Sequence, residues 1–142
     1  IVDPYSGGKG NSIRYMSVAK RDNYMRAKGM ANLFVGGEKA GFYVGHTEAI
    51  CTGSLAGHNA ARYCADRYLI QLPTNLLIGD FIAYSNNEIS KPDGEKLRFT
   101  FAGSIYFDRM KELGFYSTDS NVALERVRNA SLEGLYDKKV IG

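Results

Sequence analysis

The stretch that decides the fold is residues 45–63, GHTEAICTGSLAGHNAARY, in which small residues recur at helical spacing. Gly53, Gly57 and Ala61 follow one another every four residues, so a helix places them on one face and leaves that face without bulk. Each interior glycine costs a helix about 1 kcal/mol relative to alanine. We expect close approach to a sheet or a ligand to compensate, and the pattern predicts a helix from residue 47 to about residue 66.

The residues before this helix indicate a place where a ligand can reach the backbone. Residues 32–41 read NLFVGGEKAG, an apolar run that ends at two glycines and an acid. A strand that ends in Gly36 and Gly37 exposes its backbone. Glu38 lies just beyond this strand, where an acidic side chain can accept hydrogen bonds from hydroxyl groups.

The start of the helix adds a favourable place for negative charge. Thr47 is the expected cap, and Glu48 supplies an acidic side chain in the first turn. The unpaired N–H groups of a helix start stabilise an anion or a ligand that becomes anionic. The residues alone leave a second interpretation equally open, in which the glycines and alanines only pack the helix on a sheet.

Three further helices are expected in the second half of the chain, after a proline that breaks it. The first is predicted at residues 73–88, with Thr74 or Asn75 as its cap. The second and third are predicted at residues 104–114 and 117–140. Short strands or extended segments are predicted at residues 23–27, 32–37 and 97–103. The predicted fold class is therefore α+β and mostly helical, with a few short strands and about four helices.

Composition limits the classes of protein to which this chain can belong. Its 142 residues suit one ordinary domain, and the hydrophobic share of 44% allows a packed core. The 18 basic and 15 acidic residues leave a net charge of +3, far from that of an arginine-rich nucleic-acid arm. No apolar run approaches the roughly 20 residues that span a bilayer. Because the chain opens with Ile1 and not with methionine, we expect a piece of a longer protein.

The cysteines and histidines do not form a predicted metal site or disulfide. Cys51 and Cys64 are thirteen residues apart on one helix, which separates them by about 20 Å along its axis and points them in different directions. His46 and His58 are likewise too far apart for a shared metal ion. Cys51 is expected to be a core residue and not a reactive thiol. Reduced thiols fit a cytoplasmic protein.

These motifs together resemble the closing flavin-binding segment of the glucose-inhibited division protein A family. Within that family the chain looks most like the branch of folate-dependent tRNA uridine methyltransferases. The likeness extends over residues 24–87, since LPTNLLIGDFIAYSN also resembles a stretch of that branch. The residues that fit the pattern are Leu33, Phe34, Gly37, Glu38, Gly41, Gly45, Glu48, Thr52, Gly53, Ala56, Gly57, Asn59, Ala60, Ala61 and Arg62.

The sequence also departs from the family pattern in ways that bear on the substrate. Three residues lie between Gly41 and Gly45, where two are expected. His46 stands where the family usually has tyrosine, and Glu38 stands where glutamine is common. Beyond residue 88 the chain lacks the Asn- and Pro-rich pattern of the tRNA-modifying branch. These differences affect the identity of the substrate more than the presence of a flavin.

The resemblance implies that this chain is the C-terminal part of an FAD-dependent oxidoreductase with a Rossmann-like FAD/NAD(P)-binding domain. Residues 1–68 would close the FAD-binding domain, and residues 69–142 would form a C-terminal helical region. The GxGxxG fingerprint is absent from this chain, so FAD would be held together with the N-terminal Rossmann part of the same protein. Reduced nicotinamide or folate would deliver a hydride to the flavin, and the reaction would serve either tRNA uridine modification or a different, small substrate.

The resemblance also implies which residues contact the cofactor. Gly37 and Glu38, next to Gly36, would face the ribityl and pyrophosphate part of FAD, while the helix start would meet the flavin ring. His46 would lie near the ring edge as a proton donor, although a surface histidine without a role is the alternative. The predicted cofactor-binding residues are Gly36, Gly37, Glu38, Gly45, His46, Thr47, Glu48 and Ala49.

A second hypothesis gives the chain a different class of function from that of a flavoprotein. In it, the chain is a helical interaction module without catalytic activity that binds a protein partner or RNA. A basic run with interleaved tyrosines could contact phosphates, although a solvated face is the more common role of such a run. Its residues are Arg14, Tyr15, Lys20, Arg21, Tyr24, Arg26 and Lys28.

Overall fold

The computed structural model describes residues 20–37, 43, 45–94 and 97–141, and this part of the chain is mostly helical. Pairing between extended segments is confined there to isolated bridges. The expected four helices and sparse strand content are confirmed for these residues, whereas the Rossmann-like assignment stays a prediction. The helices are α1 (His46–Cys64), α2 (Leu77–Ile89), α3 (Ser104–Glu112) and α4 (Ser120–Asn129).

The predicted helix at residues 47–66 is confirmed as α1, but its cap is not the one expected. The helix begins at His46, and its N-cap is Gly45 with a φ of 136°, a backbone conformation that favours glycine. Thr47 is therefore the second helical residue and not the cap, and among the described residues no side chain caps this helix start. At the other end, the positive φ of Asp66 ends the helical path.

The caps and the end of two later helices also differ from the sequence-based expectation. α2 begins at Leu77 with Leu76 as its N-cap, so neither Thr74 nor Asn75 caps it. α4 ends at Asn129, well before residue 140, because Ser131 adopts a left-handed conformation and a series of turns follows. Asp119 caps α4 by accepting a hydrogen bond from the backbone N–H of Asn121 at 2.9 Å.

The segments expected as strands make short backbone pairings, two of them within residues 20–37. The backbone N–H of Ala27 donates to Leu33 O at 2.8 Å, and that of Val35 donates to Met25 O at 2.8 Å. Residues 23–27 and 32–37 therefore pair antiparallel around a turn. Later in the chain, Phe99 forms a parallel bridge with Tyr43, which brings residues 97–103 beside the approach to α1.

An aromatic cluster forms the core and joins residues from both sides of position 68. Phe81 of α2 is fully buried, and its ring centroid lies 4.6 Å from that of Phe101 and 4.8 Å from that of Tyr106. Tyr43, from the segment before α1, packs on the same Phe81 ring at 5.0 Å. The predicted 1–68 and 69–142 regions thus share one hydrophobic core.

A buried carboxylate fixes α3 against α2. Asp80 is 5% exposed and accepts two hydrogen bonds from the guanidinium of Arg109, at 2.7 and 2.9 Å. The hydroxyl of Tyr106 donates to the same carboxylate at 3.0 Å. Burial, and then the negative charge of Asp80, raise the pKa of Tyr106. A bidentate arginine–carboxylate pair of this kind fixes the relative orientation of α2 and α3 and also stabilises their contact.

A second buried polar side chain fixes α1. Asn59 is fully buried, and its amide nitrogen donates to Tyr24 O at 2.9 Å and to Ile70 O at 2.8 Å. Its amide oxygen accepts a hydrogen bond from the backbone N–H of Ile70 at 2.8 Å. One side chain therefore connects the helix to segments before and after it. The glycine-rich helix is held by these hydrogen bonds as well as by apolar packing.

We predict that Asn59→Ala lowers the free energy of unfolding by about 3 kcal/mol, because three backbone groups lose their hydrogen-bond partner. Equilibrium urea unfolding, followed by circular dichroism, measures this change. Ser54→Ala, at an exposed position on the same helix, is the matched control and should change the free energy by less than about 0.5 kcal/mol. Equal effects of the two substitutions would show that the Asn59 hydrogen bonds do not hold the helix.

Candidate functional site

The double glycine lies directly against α1. A Cβ atom added at Gly36 would lie 2.5 Å from the backbone oxygen of Thr52 and 2.9 Å from the Cβ of Ala56. Only glycine permits this approach. The backbone N–H of Gly37 donates to the Thr52 hydroxyl at 2.9 Å, and that hydroxyl donates to Glu48 O at 2.7 Å. The bare backbone at Gly36 therefore serves the packing of the helix.

The stripe of small residues on α1 is only partly covered by the described residues. Gly53 is in ordinary contact with Gly37, whose backbone nitrogen lies 3.8 Å from an added Cβ. Gly57 is exposed and meets nothing within 4 Å. The closest packing falls instead on Thr52 and Ala56, one position before the stripe. Close approach of the extended segment at Gly36 and Gly37 thus accounts for part of the pattern and leaves Gly57 open.

The start of α1 is open. Gly45, His46 and Thr47 are exposed, and no side chain of residues 20–37, 43, 45–94 or 97–141 caps the helix start. The first-turn N–H groups have no acceptor inside a helix, so they are available to a ligand. Ile50, one turn later, is 68% exposed and adds an apolar surface. An uncapped helix start beside an exposed apolar side chain offers N–H donors that favour negative charge, next to an apolar surface.

Glu48 differs from the exposed residues 45–47 because its side chain is buried and hydrogen-bonded inside the protein. It is 3% exposed, and its Oε1 accepts hydrogen bonds from the Thr100 hydroxyl at 2.8 Å and from the backbone N–H of Phe101. The other oxygen lies against Gly45, where an added Cβ would be 2.3 Å away. What remains for a ligand at this residue is its backbone N–H.

The structure thus brings together the predicted site residues only in part. Gly36 and Gly37 face α1, and Ala49 is half-buried beside them. Gly45, His46 and Thr47 form a separate, exposed set at the start of the helix. Glu38 lies outside the described residues, so its expected role stays a prediction. Sequence reasoning missed Thr100 and Phe101, which reach the helix start from about fifty residues away. No local pattern signals a contact at that separation.

Cys51 and His58 lie on α1, and neither has the surroundings of an activated catalytic group. Cys51 and Cys64 are free thiols, as expected. Burial first, and then the nearby Glu48, raise the pKa of Cys51, which disfavours the nucleophilic thiolate. The His58 ring lies edge-on to Tyr136 at 5.2 Å, and its buried Nε2 has no hydrogen-bond partner among the described residues. Burial first, and then Arg62, lower the pKa of His58.

An open groove lies at the far end of α1. It has a volume of about 620 Å³ and combines cationic and aromatic side chains. Tyr68 is 94% exposed and Tyr63 is 40% exposed, which is unusual for residues of this size. The lining residues are Arg26, Tyr63, Cys64, Asp66, Arg67, Tyr68 and Leu69.

The basic run near the N-terminus does not form one solvated face. Arg21 is 3% exposed, and its guanidinium lies 3.5 Å from Val35 O and 5.7 Å from the Tyr43 ring centre. Arg26 forms an ion pair with Asp22 at 3.1 Å. Arg14 and Tyr15 lie outside the described residues. Arg21 therefore serves the interior, while phosphate contact by the rest of the run stays a prediction.

Comparison with known proteins gives one match. Residues 2–68 match the family model of glucose inhibited division protein A, which is slightly less than half of the chain. The match supports a likeness of this part of the chain to that flavoprotein family, whose full-length members bind FAD. No curated protein and no solved structure matches the chain.

Two absences hold within the residues that the structure describes. None of the helices in this part of the chain is long and apolar enough to cross a membrane. Within the same residues, no three histidine, cysteine or acidic side chains lie close enough together to hold a metal ion.

We predict opposite effects of the same substitution at two glycines. Gly36→Ala should lower the free energy of unfolding by about 2 kcal/mol, because its methyl group meets the Thr52 backbone. Gly57→Ala should raise it by up to about 1 kcal/mol, because an exposed helical site gains helix propensity. Urea unfolding of the two variants measures both values. A Gly36→Ala variant as stable as the parent would contradict the close packing described above.

Proposed function

We propose that this chain is the C-terminal part of an FAD-dependent oxidoreductase of the division protein A family, and that the segment from Leu33 to Arg62 completes its flavin site. The observation that carries the proposal is the uncapped, exposed start of α1 within the part of the chain that matches the family model. At an exposed helix start without a cap, water satisfies the first-turn N–H groups, and a ligand can replace that water.

In the proposed site each residue has a defined part. The first-turn N–H groups, at His46 and Thr47, bind the edge of the flavin ring and stabilise negative charge there. When bound, FAD would accept and donate hydride. His46 is positioned to hold or donate a proton at the ring edge, since its side chain is exposed at the helix start. Gly37 and Glu38 contact the ribityl and pyrophosphate part.

The rest of the site belongs to a proposed longer protein. The N-terminal Rossmann part supplies the pyrophosphate-binding fingerprint that these 142 residues lack. NAD(P)H or a reduced folate is the proposed electron or hydride source, and the branch that methylates tRNA uridine is the proposed subfamily. The cytoplasm is the proposed location, because free thiols at Cys51 and Cys64 fit a reducing compartment.

We predict that His46→Pro weakens FAD binding to the full-length protein about tenfold, because proline at the first helical position keeps the helix but removes one charge-assisted N–H contact. Isothermal titration of the apo-protein with FAD measures the dissociation constant. His46→Ala is the matched control, since it also lacks the imidazole but retains the N–H. Equal affinities of the two variants would contradict binding through that N–H group.

A second candidate function is RNA binding at the groove beyond the C-terminal end of α1. Its two exposed tyrosines offer stacking surfaces for bases, and Arg26 and Arg67 offer positive charge for phosphates. This candidate agrees with a tRNA substrate for the flavoprotein. It also covers the alternative in which the chain is a non-catalytic module that binds RNA.

We predict that Tyr68→Ala weakens tRNA binding to the full-length protein about tenfold, because one stacked base contributes about 1–3 kcal/mol. Arg67→Gln should reduce the slope of log affinity against log salt by about 1. Fluorescence anisotropy at several salt concentrations measures both effects. Tyr116→Ala, an exposed tyrosine elsewhere, is the control. Affinity for tRNA that does not respond to salt or to Tyr68→Ala would remove this candidate.

A further inference from the structure

Glu48 lies where the proposed flavin site meets the C-terminal region. It is the third residue of α1, and its backbone belongs to the exposed first turn. Its side chain turns inward and is 3% exposed. A buried carboxylate is costly unless its oxygens accept strong hydrogen bonds. The identity of its donors therefore shows what this residue holds in place.

Both donors come from one short segment, residues 99–103. The Thr100 hydroxyl donates to Glu48 Oε1 at 2.8 Å, and the backbone N–H of Phe101 donates to the same oxygen. The Thr100 hydroxyl also accepts a hydrogen bond from the backbone N–H of Ala102 at 3.1 Å, which fixes its orientation. A bridge between Thr100 and Gly103 closes the segment into a tight turn.

This segment is connected to the rest of the C-terminal region through buried rings. Phe99 is fully buried and pairs with Tyr43 through a parallel bridge. The Phe101 ring lies 4.6 Å from Phe81 of α2 and 6.0 Å from Tyr106 of α3, measured between ring centres. A movement of residues 99–103 would thus disturb both the aromatic core and the first turn of α1.

We infer that Glu48 is a positioning residue, which fixes the first turn of α1 against residues 99–103 and so makes flavin binding depend on the C-terminal region. The inference rests on the proposed function, because the first turn is the part proposed to meet the flavin. Glu48 itself acts through its neighbours: its carboxylate sets the place of Gly45 and of the exposed N–H groups, and it does not touch the ring.

The test uses Glu48→Ala and Thr100→Val in the full-length protein. Two quantities are measured, the FAD dissociation constant and the hydrogen-exchange protection of the Phe101 amide. Glu48→Ala removes both hydrogen bonds and should weaken FAD binding about tenfold while abolishing protection at Phe101. Thr100→Val removes one bond, keeps the backbone contact, and should give a smaller change in the same direction.

Glu125→Ala is the matched control, since Glu125 is exposed on α4 and its loss changes the net charge equally. It should leave both quantities unchanged. Thr100→Val keeps the inference testable if Glu48→Ala does not fold, because it preserves the buried carboxylate and its backbone donor.

The outcomes separate the inference from the proposed function. If the parent protein binds FAD and neither variant weakens binding beyond the control, the inference is overturned and the proposed function stands. If the parent protein does not bind FAD, the proposed function fails and the inference fails with it. Weaker FAD binding together with lost protection at Phe101 supports both.

Discussion

The first turn of α1 is the constraint on which the rest of the site depends. Gly36 and Gly37 pack against one side of the helix through the backbone and hydroxyl of Thr52. From another side, Thr100 and Phe101 hold the buried carboxylate of Glu48. The N–H groups that would stabilise negative charge on a ligand are left uncapped between these contacts. A helix start held firmly at its sides and open at its end is pre-organised for binding, since little order has to be gained when the ligand arrives.

The two predicted regions of the chain cooperate in this arrangement. The family match ends at residue 68, yet the core that supports α1 is built with Phe81, Phe99 and Tyr106 from beyond that point. Asp80 and Arg109 then join α2 to α3 behind the same core. The C-terminal region is therefore part of the support for the helix start. In a flavoprotein, such support would let changes in this region alter cofactor binding without any contact with the cofactor.

Much of α1 could be predicted from the sequence, because its small residues recur at helical spacing. The helix boundaries were less predictable. Thr47 is a good capping residue by type, but the positive φ of Gly45 places the helix start one residue earlier. α4 likewise continues its apolar pattern in sequence, while the backbone of Ser131 ends it in space. Local residue preferences do not reveal these backbone turns.

The site was predictable to the extent that its residues are neighbours in the chain. The exposed helix start follows from residues 45–49, whereas the burial of Glu48 follows from a segment about fifty residues away.

The most direct measurement is a crystal structure of the full-length protein with FAD bound. The account predicts the N1–C2=O edge of the flavin about 3 Å from the backbone nitrogen of His46 or Thr47, a normal hydrogen-bond distance. A flavin ring bound elsewhere, with the protein's own chain covering the start of α1, would contradict it.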